Sequence, residues 1–229
     1  MKSLKLDDRP KKEVYGLSRS PLSQTKAEAK RAFLIEQATL CLAQKGYAHV
    51  SLRDIAKESG VSLGILHYYF ASKEDLLLAI ISSYKEGFVA ELEHEVVEAP
   101  LESWMASFFA VLHRSLTRDK DQHRLWYDLQ VQAMYVPAFH EQVSQIRNRL
   151  HSLIVRMLDR LTDADGPPLA VEKEVAASTL YSLIDGLFLQ SMLSESSDPK
   201  NAISHFEQTF PFIIQSLFLP PSNAHTSTK

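Results

Sequence analysis

Residues 51–73, SLRDIAKESGVSLGILHYYFASK, decide the fold. Ser51 followed by Asp54 is a capping-box spacing, in which the serine accepts from the first turn of a helix and the acid reaches back. The helix so opened places Leu52, Ile55 and Ala56 on one face and stops at Gly60. Only Gly60, Val61 and Ser62 separate it from a second short helix, Leu63 to Tyr69, which Ser62 can cap. Gly60 can take the left-handed conformation that ends one helix and starts a sharp turn. Val61 can then drop into the core and lock the crossing angle. The spacing therefore predicts a helix-turn-helix whose second helix presents its N-terminus to a DNA major groove.

Outward from this unit, helical periodicity continues in both directions. Leu34, Ile35, Ala38, Cys41 and Leu42 form an apolar stripe that ends at Gly46. Cys41 on that stripe reads as a packed thiol rather than a reactive one. Ser72 opens another cap, Ser72-Lys73-Glu74-Asp75, ahead of one continuous helix to about Val97. Helices are expected over 101–117, 120–134, 137–161, 169–194 and 199–218, with a loop from Asp163 to Pro168. Ser197-Asp198-Pro199 caps the last, and Pro211 should kink it or mark a wide turn. The expected organisation is a basic arm over 1–22, a DNA-binding head over 23–72, a helical body over 73–218 and a tail over 219–229. The fold class is all-α, with nine helices and no repeat.

Composition narrows the function. The chain has 229 residues and a net charge of −3, which argues against a generic polyanion binder. The average hides an asymmetry. Residues 1–73 hold 13 basic and 7 acidic residues, and the remainder holds 12 and 21. A basic head on an acidic body suggests nucleic acid at the head. The single cysteine excludes an internal disulfide framework and suits a cytoplasmic location. No apolar run reaches membrane-spanning length, and the N-terminus has no secretory core.

The candidate DNA contacts follow from the unit. Gly64 lets the backbone approach closely, and Arg53, His67, Tyr68 and Lys73 supply donors for phosphates and bases. Leu63, at the start of the second helix, can meet a thymine methyl. Ser51 and Ser62 sit where helix N-termini offer free N–H groups, and Lys26 adds charge from the preceding helix.

At these residues the chain resembles the TetR-type regulators. The matching positions are Gly46, Tyr47, Ser51, Ile55, Ala56, Gly60, Val61, Ser62, Gly64, Phe70, Lys73, Leu76 and Leu77, across about residues 27–78. The stretch Gly64-Ile65-Leu66-His67-Tyr68-Tyr69-Phe70 is similar to the choline-responsive and related branch, with the family's usual aromatic and imidazole exchanged at His67 and Tyr69. The resemblance implies a homodimer that binds double-stranded operator DNA. It implies a repressor released from an inverted repeat when a small molecule enters the body. It also implies that the last two helices form a four-helix bundle with a partner copy. Leu180, Leu183, Ile184, Gly186 and Leu187 would lie in that interface, or else on an internal core face.

The body is rich in large side chains. Trp104, Phe108, Trp126, Met134 and Tyr181 could line an apolar effector pocket, or be plain core. Trp104 and Trp126 could also cage a cationic ligand. Rival readings are weaker. Gly60-Val61-Ser62-Leu63-Gly64 matches a hydrolase elbow but has helices on both sides instead of a sheet. Ser82-Ser83-Tyr84-Lys85 matches a Ser-x-x-Lys string inside a helix. The nine histidines include no His-Glu-x-x-His spacing. No enzyme, cofactor or metal site is expected. An enzyme or interaction protein that borrowed the helix-turn-helix is the alternative class.

Overall fold

The computed structural model describes residues 21–163, 166–193 and 199–219. The expected arm up to residue 20, the tail beyond Leu219 and the Ser197-Asp198 cap lie outside them. Among the described residues the chain is nine α-helices, and the only β-type pairing is an isolated bridge, Leu169 to Phe218. They are α1 (Pro21–Lys45), α2 (Leu52–Glu58), α3 (Leu63–Tyr69), α4 (Lys73–Leu92), α5 (Trp104–Arg118), α6 (Lys120–Ala133), α7 (Pro137–Thr162), α8 (Lys173–Leu193) and α9 (Pro199–Ser216). No described helix is long and apolar enough to cross a membrane.

Local chemistry sets the head. Ser51 Oγ accepts from Asp54 N (3.3 Å), and Asp54 Oδ2 accepts from Ser51 N (2.9 Å), completing the capping box. At the other end of α2, Gly60 has φ +65°. Val61 N donates to Ala56 O (3.0 Å) and Gly60 N to Lys57 O (3.3 Å). These are the two bonds of a Schellman stop, and only the first glycine past the helix makes the turn without strain. Ser62 then caps α3 through Ile65 N (3.2 Å).

The head does not have a core of its own. Leu34, Ile55, Leu66 and Phe70 share one buried cluster with Leu77 of α4, Trp126 and Leu129 of α6, and Phe139 and Ile146 of α7. A second cluster joins α4, α5, α7, α8 and α9 through Phe88, Phe108, Met157, Phe188 and Phe206. Cys41 is buried in the first cluster, where burial, and next a hydrogen bond to Glu58, push its thiol up to about 11. It is a packing residue.

Three boundaries differ from the sequence expectation. The long helix after Ser72 is α-helical only to Leu92 and continues as a π-helical turn over Glu93–Val97, with Glu98 N bonded to Glu93 O (2.9 Å). Such turns admit an extra residue and shift the phase of a helix face. α8 starts at Lys173 rather than 169, because Ala170 N donates to Leu217 O (2.7 Å) and Leu219 N to Pro168 O (2.9 Å). Those bonds hold 168–170 extended against the end of α9. Finally, α9 runs through Pro211 unbroken. The carbonyl this orphans belongs to Glu207, on the exposed face, where water can serve it.

Candidate nucleic-acid interface and effector cavity

α3 offers a narrow exposed face. Gly64, Ile65, His67 and Tyr68 are exposed, while Leu66 is fully buried. Tyr68 is 64% exposed and stands edge-on to Tyr69, with ring centroids 5.0 Å apart. A Cβ placed on Gly64 would meet nothing closer than Ser62 Oγ at 3.9 Å, so this turn of backbone is open to a large partner. Leu63 corrects the sequence reading. Its side chain is half-buried against the head's core, and Ile65 is the exposed apolar residue instead. A seven-residue helix is too short for periodicity to fix its phase, and the sequence reading missed Ile65 for that reason.

Beside α3 lies a shallow open groove lined by His49, Ser51, Arg53, Leu63, His67 and Lys73, among others. Ser51, Arg53 and Lys26 are exposed. Asp54 lies in the same groove with its carboxyl held below its ordinary range, first by hydrogen bonds from Ser51. Lys73 is not a free donor. Its Nζ donates to Tyr47 O (2.8 Å) and Val50 O (2.9 Å) and lies 4.0 Å from the centre of the Tyr47 ring. Ser62 is spent on its cap. Arg31 and Lys30, exposed and half-exposed, lie over the Phe70 and Phe33 rings.

The second cavity is lined by α4, its π-helical turn, α5, α6, α7, α8 and α9, and has a volume of about 120 Å³. Trp104, Phe108, Trp126 and Tyr181 line it, as the sequence suggested they could. Met134 does not. It lies just past the end of α6, 75% exposed and away from the cavity. Two proposed interface residues also belong here. Leu180 is 3% exposed and Ile184 half-buried, and both line the cavity, so they face inward in a single chain.

Polar groups missed in the sequence cluster at one end. Lys85, on the inner face of α4, is 4% exposed. Its Nζ lies 4.7 Å from the Trp126 ring centre and 5.2 Å from that of Phe88. Burial pushes it down to about 7, against a smaller upward pull from Asp185. Asp185 accepts from the Tyr127 hydroxyl (3.2 Å), which also donates to Asp185 O (2.8 Å), and burial raises its carboxyl. His123 Nε2 pairs with Ser115 Oγ (2.7 Å) and Tyr84 Oη (2.9 Å). Burial, and next the Lys85 charge, hold it neutral far below the usual imidazole range. The Tyr181 hydroxyl is buried without a hydrogen bond. Lys85 also corrects the cationic cage, since the lysine itself occupies the face of Trp126. Beyond a chance Ser-x-x-Lys string nothing in the sequence marks Lys85 as buried, because a lysine on a helix is ordinarily solvated.

The outward face of α8 is a separate feature. Val175, Thr179, Ser182, Leu189 and Leu193 are exposed, and half-buried Gly186 falls on the same stripe by helical spacing. A Cβ on Gly186 would meet nothing within 4 Å. Phe212, 73% exposed, lies on the packed neighbour α9. Leu183 and Leu187 are half-buried. Among the described residues no group of three or more His, Cys, Asp or Glu side chains is placed to hold a metal.

Comparison with known proteins accounts for both halves. The profile for bacterial regulatory proteins of the tetR family matches residues 34–80, and that for the C-terminal part of BetI-type transcriptional repressors matches 102–210. The HTH-type transcriptional regulator BetI of Agrobacterium fabrum is 28% identical over 169 residues, covering 72% of this chain and 77% of its own. BetI of Brucella anthropi is 28% identical over 177 residues, covering 76% and 87%. Among solved structures, a putative transcriptional regulator from Saccharomonospora viridis in complex with choline aligns with a TM-score of 0.69 at 24% identity, over 85% of this chain and 99% of that one. Salmonella enterica GusR aligns with a TM-score of 0.67 at 22% identity, over 88% and 99%. The chain belongs to the TetR family of bacterial regulatory proteins and is a transcriptional regulator with a helix-turn-helix DNA-binding head.

Proposed function

We propose that this chain acts in the cytoplasm as a homodimeric repressor that grips an inverted-repeat operator and releases it when a small molecule fills the α4–α9 cavity. The observation that carries this is the double use of α4. Its first residue, Lys73, clasps the turn ahead of α2, and its later residues from Lys85 onward, with the π-helical turn, wall the cavity. A ligand that prefers one tilt of α4 changes the spacing of the two α3 helices in a dimer. Two heads must match a groove repeat of ~34 Å, so a shift of a few ångströms decides the fit.

In this reading Ile65, Gly64 and His67 approach base edges, while Tyr68, Arg53 and Lys26 serve phosphates and Ser51, whose hydroxyl donates to Asp54, fixes the start of α2 beside them. Lys73 contributes charge and holds the groove's wall. The partner copy packs on Val175, Thr179, Ser182, Gly186, Leu189 and Leu193 of α8 with Phe212 of α9, flanked by Leu183 and Leu187. The small residues at the centre of the stripe let helices approach closely. Footprinting of the regulator on DNA fragments upstream of its own gene tests the reading. A two-fold symmetric footprint lost steeply as salt rises is expected. A single asymmetric site bound by a monomer overturns it.

A further inference from the structure

Lys85 is a buried amine without a paired acceptor. Among the described residues its Nζ has no hydrogen bond and no ion pair within 4 Å, and its neighbours are the rings of Trp126, Phe88 and Tyr84. Asp185 is the nearest acid acting on it, yet that carboxylate accepts from Tyr127 instead. Placing a charged group in such surroundings is costly unless an acceptor answers it. His123 is already engaged with Ser115 and Tyr84. Unpaired, the amine gives up its proton readily; an acceptor that would hold it charged can come from what enters the cavity.

The rest of the cavity says what that molecule looks like. The walls also include Val96, Val97, Trp104, Phe108, Met157 and Leu161, apolar but for the indole N–H of Trp104. We propose that the cavity takes an apolar monocarboxylic acid, a medium-chain or arylalkanoic acid, with its carboxylate on Lys85 Nζ and its hydrocarbon part along these walls. One lysine matches one negative charge, so phosphate and other dianions are left half-answered. A quaternary ammonium meets a like charge and finds the Trp126 face occupied, and the one acid in the lining, Asp185, already accepts from Tyr127. The inference rests on the reading above that this cavity is the effector site.

Protonation follows. Burial holds Lys85 at about 7, and a bound carboxylate would stabilise its charged form, so binding takes up a proton. The other titratable groups lining the site are His123 and Tyr127 on α6 and Tyr181 and Asp185 on α8; Tyr84 lies beside Lys85 on α4, and Arg147 of α7 lies over the Tyr181 ring. The Asp185→Asn variant separates the acid's contribution from the lysine's.

The test is calorimetric titration of the full chain with octanoate, octanol and octyltrimethylammonium. Octanoate should bind, and its affinity should fall roughly tenfold per pH unit above the free Lys85 value, while octanol stays flat. Lys85→Met, matched in length and kept apolar, should weaken octanoate at least about thirtyfold and leave octanol as tight or tighter. Asp185→Asn should keep the octanoate slope. Equal octanoate affinity in wild type and Lys85→Met overturns the proposal, as does preference for octyltrimethylammonium. Octanol binding by Lys85→Met guards against a misfolded variant. Operator release is read in parallel. If octanoate binds through Lys85 and leaves the operator bound, the ligand class stands and the release reading falls. If octyltrimethylammonium releases the operator and octanoate does not, the reverse holds.

Discussion

Lys73 holds Tyr47 from two sides, by a 2.8 Å hydrogen bond to its carbonyl and by lying 4.0 Å from the centre of its ring. The first residue of α4 is thus a clasp on the head. Lys73→Met should lower unfolding stability by about 2 kcal/mol, the scale of charge-assisted hydrogen bonds lost, and weaken every DNA sequence alike. Arg53→Ala should weaken DNA binding with little stability change and reduce the salt slope by about one. Denaturant titration beside salt-dependent binding separates the two. A Lys73→Met protein as stable as wild type would overturn the clasp.

Sequence preference should move with Ile65→Ala and His67→Ala, since both side chains are exposed on α3. Leu63→Ala should cost stability, because Leu63 packs on the head's core. Tyr68→Ala should weaken all sites evenly. Selection from a randomised operator pool reads all four variants, and a preference change only in Leu63→Ala would reverse the assignment.

At α8, Gly186→Ala should leave a single chain as stable or up to about 1 kcal/mol better, since alanine favours helix and meets no atom there. Gly186→Leu and Phe212→Asp should instead raise the dimer dissociation constant at least about tenfold. Sedimentation at falling concentration measures this. An unchanged dimer in both would place the interface elsewhere.

His123 gives a pH dependence with a definite sign. Its imidazole is neutral when folded and titrates near 6.5 when unfolded. The unfolded chain therefore binds the extra proton in acid, and stability present above pH 6.5 should drain away as pH falls below it. His123→Gln should show a shallower loss between about pH 7 and 5 in denaturant titrations.

Lys85 acts in the opposite window. Its folded value of about 7 lies below the ordinary 10.5, so the unfolded chain carries more protons between them. Stability should rise with pH across that window. Lys85→Met should be more stable than wild type at pH 7, by about 1–4 kcal/mol, the range seen when buried charges give way to apolar groups of like volume. The advantage should shrink toward pH 10.

The residues legible in the sequence are those whose roles are local. Ser51, Asp54, Gly60 and Ser62 specify caps and a stop through neighbours a few positions away, and the structure realises each bond. For Leu180 and Ile184 the sequence reading stops where local information ends. Leu180 and Ile184 carry the larger side chains, so they read as an interface stripe. Their side of α8 is closed by its own chain, and the outward side mixes Thr179, Ser182 and Gly186 with the exposed Val175, Leu189 and Leu193. Lys85, His123 and Asp185 were invisible for the same reason. Burial of a polar residue depends on which helices close over it, and no spacing rule encodes that.

Tyr47 also sets where the chain can be cut and rejoined. Its N–H donates to Asp128 of α6 (2.7 Å), its hydroxyl to Glu74 of α4 (3.0 Å), and its ring meets Phe139 of α7 edge-on at 6.0 Å. A chimaera spliced at residue 72 would carry the reading helices without the acid and rings that seat them. The transplantable unit is discontinuous: residues 21–81 together with the α6–α7 corner from Leu125 to Ile146, whose side chains complete the same buried cluster. Specificity can therefore be exchanged between relatives only when that distant corner travels with the head, or is already compatible with it.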